Sequence, residues 1–207
     1  KLDDKIYVKM NSRGKPLTEF ENFKANFSIL FDSENKSKLD NEWLDIFWKF
    51  EKEKAQISIK EVDKKYLNFV RNATLNFCAE TIDIDKKFKD NFNIFDEYKT
   101  IYQPNSESLK QITNVFDALT SFTDEKKYFE SFLEDDPDYW ERLRFYAVMQ
   151  FFIKKGSLNE LNIELYEKWI RVCVNLINNT LVQSPDTFYR ALRSIKKLSE
   201  NIDDLYE

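Results

Sequence analysis

Arg13 and Lys15 flank Gly14, one of two glycines in 207 residues, within the polar turn Asn11-Ser12-Arg13-Gly14-Lys15-Pro16. Two cations, a residue free to take positive φ and an amide at Asn11 that can order the loop suit a small anion. Thr18 follows, with Glu21 at capping-box spacing, so a helix starts there with its unpaired N–H groups facing the same region. The chemistry on offer is phosphate binding. A tight connection with no ligand explains the same residues more simply, and the turn stays open between the two readings.

Other polar groups are weaker candidates. Arg190, Arg193, Lys196 and Lys197 form a helical stripe that can lie along nucleic-acid phosphates, although an ordinary solvated face paired with nearby acids explains it better. Arg171 joins that stripe if the last two helices pack as a hairpin. Arg142, Arg144, Lys154 and Lys155 share a helix but no face. Asp135, Asp136 and Asp138 can gather a divalent cation, yet acids before a helix favour its positive dipole end, so the reading is capping, with no metal ligands.

The chain holds no histidine, which removes an HNH nuclease centre, a histidine-dependent nucleophile and any imidazole metal site. A nuclease with the order Pro-Asp … Glu-x-Lys fails too, since Pro137-Asp138 and Pro185-Asp186 lie after the Glu-x-Lys triplets at Glu34, Glu97 and Glu125. No catalytic set is complete, so the chain reads as a non-enzyme with no cofactor of its own.

The elements that position these groups are helices. Nineteen Phe, ten Tyr and four Trp, against two Gly and four Pro, point to an aromatic core with few breakers. The first helix is expected over about 18–33, followed by a polar exposed loop from Ser33 to Lys38, then a helix capped by Asp40 carrying Trp43, Leu44, Phe47, Trp48 and Phe50. Val62, Tyr66, Phe69, Val70, Ala73 and Phe77 mark a third helix ending near Glu80.

A connection over 81–93 and a short helix or extended piece to Tyr102 end at Gln103-Pro104-Asn105. Ser106 caps a helix with Leu109, Ile112, Phe116 and Leu119 inward, and a shorter helix is expected over 125–133. Asp138 starts a helix with Trp140, Leu143, Ala147 and Phe151 inward, which Gly156 ends. Tyr166, Trp169, Ile170, Cys173 and Ile177 share one face, and Ser184-Pro185 opens the last long helix with Phe188, Leu192 and Ile195 inward. An acidic tail follows, with one further helical turn near Asn201. The expected fold is all-α, an irregular bundle of about seven to nine helices with a short N-terminal extended segment at Ile6, Val8 and Met10.

The formal charge of −5 argues against a general grip on nucleic acid while leaving room for a local basic patch. Cys78 and Cys173 lie on apolar helical faces without metal-like spacing, the usage of a reduced, cytoplasmic setting. No apolar run approaches the roughly 18 residues that span a bilayer, so no membrane partner is expected.

The string V-x-M-N-S-R-G-K-P-L-T-x-F-E-N-F-K-A, Val8 to Ala25, resembles the motif closing the nucleotide-hydrolysing region of GmrSD-type restriction proteins, also called domain of unknown function 262. Leu39-Asp40-Asn41-Glu42-Trp43-Leu44-Asp45-Ile46-Phe47-Trp48 is similar to segments that follow that motif. So are Lys168-Trp169-Ile170-Arg171-Val172, with Asn175-Leu176 and Asn179-Thr180, and Ser184-Pro185 through Ser194-Ile195. The likeness is dense over 6–48 and 166–198. The family's earlier aspartate-glycine-glutamine-glutamine-arginine signature, which carries the nucleotide chemistry, does not occur here.

With Lys1 in place of an initiator methionine, the chain reads as an internal piece of a longer protein. Residues 1–17 would close a ParB/sulfiredoxin-like region, and 18–207 would form the helical domain, with two subdomains dividing near 100–106. The resemblance implies a bacterial restriction or anti-phage parent using a nucleoside triphosphate and a divalent cation. It places the loop Asn11, Ser12, Arg13, Gly14 and Lys15 near that nucleotide. The expected partners are the rest of the polypeptide and DNA or a protein subunit. The alternative is a stand-alone helical module binding DNA or protein.

Overall fold

A computed structural model describes residues 16–51, 58–81, 101–104, 106–121, 133 and 137–206. The extended segment at Ile6, Val8 and Met10, the turn from Asn11 to Lys15, the 81–93 connection beyond Thr81 and the 125–133 helix before Leu133 lie outside these residues. Asp135, Asp136 and the side chain of Cys78 do so too. Among the described residues the protein is all-α, with no strand.

Helix α1 spans Glu19–Ser28 and begins where the capping-box spacing places it: the Glu21 amide donates to Thr18 Oγ1 at 3.2 Å, and the Thr18 amide donates back to Glu21 Oε2 at 2.9 Å. It stops five residues before the expected end near 33. The chain turns through Ile29 and Leu30, and Asp32 caps a separate helix, α2 (Ser33–Asp40), by accepting the Asn35 amide at 2.9 Å. The polar stretch from Ser33 to Lys38 is therefore helical rather than a loop. Periodicity could not reveal it, because α2 buries only Leu39 and its order comes from the cap and tertiary ties.

Asp40 also departs from its expected role. It closes α2 and pairs with Lys24 at 2.6 Å, and α3 starts after it at Glu42–Glu51. Trp43 and Phe47 are fully buried on α3, together with Ile46, while Leu44, Trp48 and Phe50 are partly buried against the core.

Helix α4, Ile59–Thr81, carries the expected face of Val62, Tyr66, Phe69, Val70, Ala73 and Phe77, every one buried. Its other side is buried as well, including Asn68, Asn72, Thr74 and Asn76. Burial of such groups costs free energy unless they are hydrogen-bonded. Asn68 donates to the Leu133 carbonyl at 2.9 Å, Asn72 accepts from Arg142 at 2.6 Å, and the hydroxyls of Thr74 and Tyr102 lie 3.0 Å apart. These partners let a helix with polar residues on several sides run through the middle of the bundle.

The rings of Phe20, Phe23, Phe47 and Phe116 all approach that of Tyr66, with centroids at 5.5, 6.5, 4.6 and 5.6 Å. One side chain of α4 thereby joins α1, α3 and α5 (Glu107–Thr120). Ser106 caps α5 by accepting the Leu109 amide at 3.1 Å, and Leu109, Ile112, Phe116 and Leu119 are buried.

Helix α6, Tyr139–Lys155, starts from the Asp138–Glu141 capping box and ends at Gly156, whose φ of 69° favours glycine. Leu143, Ala147 and Phe151 are buried as expected, and Trp140 is partly so. Helix α7 (Ile163–Asn178) and helix α8 (Pro185–Ser199) both pack on α6.

Contacts fix the directions. Tyr139 stacks on Phe188 at 5.2 Å near both N-termini, and Ser199 donates to Gln150 at 3.2 Å toward both C-termini, so α6 and α8 run parallel. Trp169 donates to the Ala147 carbonyl at 2.8 Å and Tyr166 meets Phe151 at 5.0 Å, so α7 runs against α6. A 3-10 helix, Ile202–Tyr206, follows α8 and packs on α7. The buried cluster is continuous from Phe20 to Ile202 and draws on residues either side of 101–106.

Candidate functional site

The basic stripe is built on α8. Ser184 caps α8 by accepting the Thr187 amide at 3.3 Å, and Pro185 occupies the first turn, where its missing N–H has no cost. Phe188, Tyr189, Ala191, Leu192 and Ile195 are buried and fix the helix against α6 and α4. Arg190, Arg193, Lys196 and Lys197 are left exposed on the far side.

The four do not share one line. At 100° per residue, Asp186, Arg190, Arg193 and Lys197 fall within about 60° of each other, and Lys196 stands about 100° away from Lys197. Asp186 binds Arg190 twice, once to Nε at 3.0 Å and once to Nη2. The acid in the first turn and the lysines in the last also complement the helix dipole.

Of the other basic residues named above, Arg142 and Lys155 are tied to other groups and Arg171 lies on a different helix. Arg171 is exposed on α7, and since α7 and α8 each pack mainly on α6, the hairpin that would bring it to the stripe is not the principal contact. Arg142 donates from Nε to the Pro137 carbonyl at 3.0 Å as well as to Asn72, which makes it a tie between α6 and α4. Lys155 pairs with Asp203.

The start of α1 bears on the anion reading of the N-terminal turn. Two of its orphan donors are occupied by the capping box, and Glu19 and Glu21 place two carboxylates in its first turn. An anion there would meet like charge, so the start of α1 does not by itself favour the anion reading. The five residues of the loop, Asn11 to Lys15, lie outside the described region.

Asp138 serves as the cap of α6, and no three metal-ligating side chains gather among the described residues. Cys173 is buried and its thiol pKa is pushed far up by desolvation, which leaves it un-ionised and unreactive at neutral pH.

Two features were not legible beforehand because they join distant stretches of chain. A groove of about 480 Å³ opens between the α1–α2 turn and α5, lined by residues such as Ile29, Phe31, Asp32, Pro104 and Lys110. A few residues away, Asp117 of α5 accepts from Trp43 Nε1 at 2.9 Å and from Lys38 Nζ at 3.1 and 3.3 Å, tying α2 and α3 to α5. Nothing short of tertiary structure pairs residues more than seventy positions apart.

Comparison with known proteins returns no matching family model, curated protein or solved structure. No helix among the described residues is long and apolar enough to cross a membrane.

Proposed function

We propose that this chain is a helical, non-catalytic accessory region of a GmrSD-like bacterial restriction or anti-phage protein. It supports a nucleotide-hydrolysing core and passes the state of that core to DNA or to an effector domain. The observation that carries the reading is the fate of the Val8–Ala25 string. Its second half becomes α1, and the two phenylalanines within that half, Phe20 and Phe23, both pack on Tyr66 at the centre of the bundle. Helix α1 thereby packs on α4, which in turn packs on α6 and α8, a contiguous set of contacts through which a change at the start of α1 can be passed on.

The test is turnover. With magnesium and a panel of nucleoside triphosphates, this chain alone is expected to release no phosphate above buffer. The same chain joined behind a region bearing the aspartate-glycine-glutamine-glutamine-arginine signature is expected to hydrolyse one of them. Turnover by the isolated chain contradicts the placement of the chemistry outside it.

The alternative, a helical module that binds DNA or a protein partner without any nucleotide chemistry, is favoured by one observation only, the exposed basic line on α8.

A further inference from the structure

The geometry points to the exposed face of α8 as a contact surface for the phosphate backbone of duplex DNA, through Arg190, Arg193 and Lys197 with Lys196 alongside. The inference rests on the reading just given only in that it names DNA as the partner; it requires no nucleotide hydrolysis.

Between Asp186 and Glu200 the exposed charged positions of α8 are four cations and no acid, in a chain with 37 acidic and 32 basic residues. Dipole complementarity accounts for the lysines of the last turn but not for Arg193 in the body of the helix. Arg190, Arg193 and Lys197 are stacked along about 10 Å of helix axis, at roughly 4.5 and 6 Å steps. Duplex DNA offers about six phosphate charges over that length of its own axis.

The surface also selects the form of nucleic acid. Binding of unpaired bases relies on exposed aromatic rings for stacking. The aromatic residues of α8, Phe188 and Tyr189, are 1% and 8% exposed and committed to the core. What remains is long cationic side chains on a rigid rod, which can position on phosphates but cannot read bases. Asp186 opposes this by holding Arg190, so the contact is weak and sequence-independent.

The experiment is fluorescence anisotropy of a labelled duplex of about 20 base pairs titrated with the whole chain, without nucleotide, at several salt concentrations. Three phosphate contacts predict a slope of log K against log salt near −2.7, an affinity loss of about fortyfold between 50 and 200 mM. Arg193→Glu with Lys197→Glu is expected to weaken binding more than tenfold and flatten the slope. Asp186→Asn, which releases Arg190, is expected to tighten binding severalfold, a gain that damage to the fold cannot produce.

Absence of salt-dependent binding at 50 mM overturns the proposal. So does binding indifferent to the charge reversals, or preference for a single strand of the same sequence. Since the assay contains no nucleotide, a failure here leaves the hydrolysis prediction standing, and the converse also holds.

Discussion

Replacing Tyr66 by alanine is expected to lower the stability of the bundle by about 3–5 kcal/mol, the range for deleting a large buried aromatic side chain. Replacing it by phenylalanine is expected to leave stability unchanged or raise it by about 1–2 kcal/mol. The two changes separate packing from polarity at a single position. The ring touches Phe20, Phe23, Phe47 and Phe116, so its loss opens a cavity bordered by α1, α3 and α5 at once. The hydroxyl, by contrast, is buried and has no hydrogen-bond partner among the described residues. Desolvation also pushes its pKa well up, so it is never ionised near neutral pH. Chemical denaturation of both variants measures the difference. A phenylalanine variant that is markedly less stable would mean the hydroxyl is bonded after all.

Asp117→Ala is expected to cost about 2–3 kcal/mol, because it strands a donor the protein has buried. Trp43 is 0% exposed, and its indole N–H has the Asp117 carboxylate as its acceptor. The ring cannot turn away to find water, since it stacks on Phe116 with centroids 4.6 Å apart and planes 9° apart. Lys38 contributes less: side-chain exposures of 22% and 40% for Lys38 and Asp117 leave that pair partly screened, worth at most about 1 kcal/mol.

The hydrogen bond to Asp117 raises the Lys38 pKa above 10.5. Its share of stability is therefore full below that value and is lost only as pH rises through the raised pKa. Asp117→Asn keeps an acceptor for the indole and should cost less than the alanine change. A cycle with Trp43→Phe, read by denaturation, should give a coupling of about 1 kcal/mol or more. Additive effects would show that the indole bond does not hold α3 to α5.

How much of this was readable in the sequence depended on whether local signals and burial agreed. Helices α4 to α8 carry apolar residues at helical spacing, and α5, α6 and α8 also announce themselves with Ser106, Asp138 and Ser184-Pro185, so their positions followed. Helix α2 failed that test because one leucine is its whole buried face. The depth of α4 was also hidden. Asn68, Asn72 and Asn76 look like a solvated side until their partners on other elements are known. For the candidate site, spacing put Arg190, Arg193, Lys196 and Lys197 on one exposed helix, which is α8. The angular positions on that helix separate the collinear three from Lys196, and the Asp186 pair engages Arg190.

The central claim is that the helix completing the Val8–Ala25 string belongs to the same cooperative core as the rest of the bundle. Native-state hydrogen exchange addresses it directly. Amides of Phe23 to Ser28 on α1 should exchange through the same opening as those of Tyr66 to Ala73 on α4, with free energies equal within about 1 kcal/mol and falling together in Tyr66→Ala. An α1 that opens on its own, at a cost several kcal/mol below that of α4, would contradict the account, since a helix that detaches freely cannot carry the state of a neighbouring loop into the bundle.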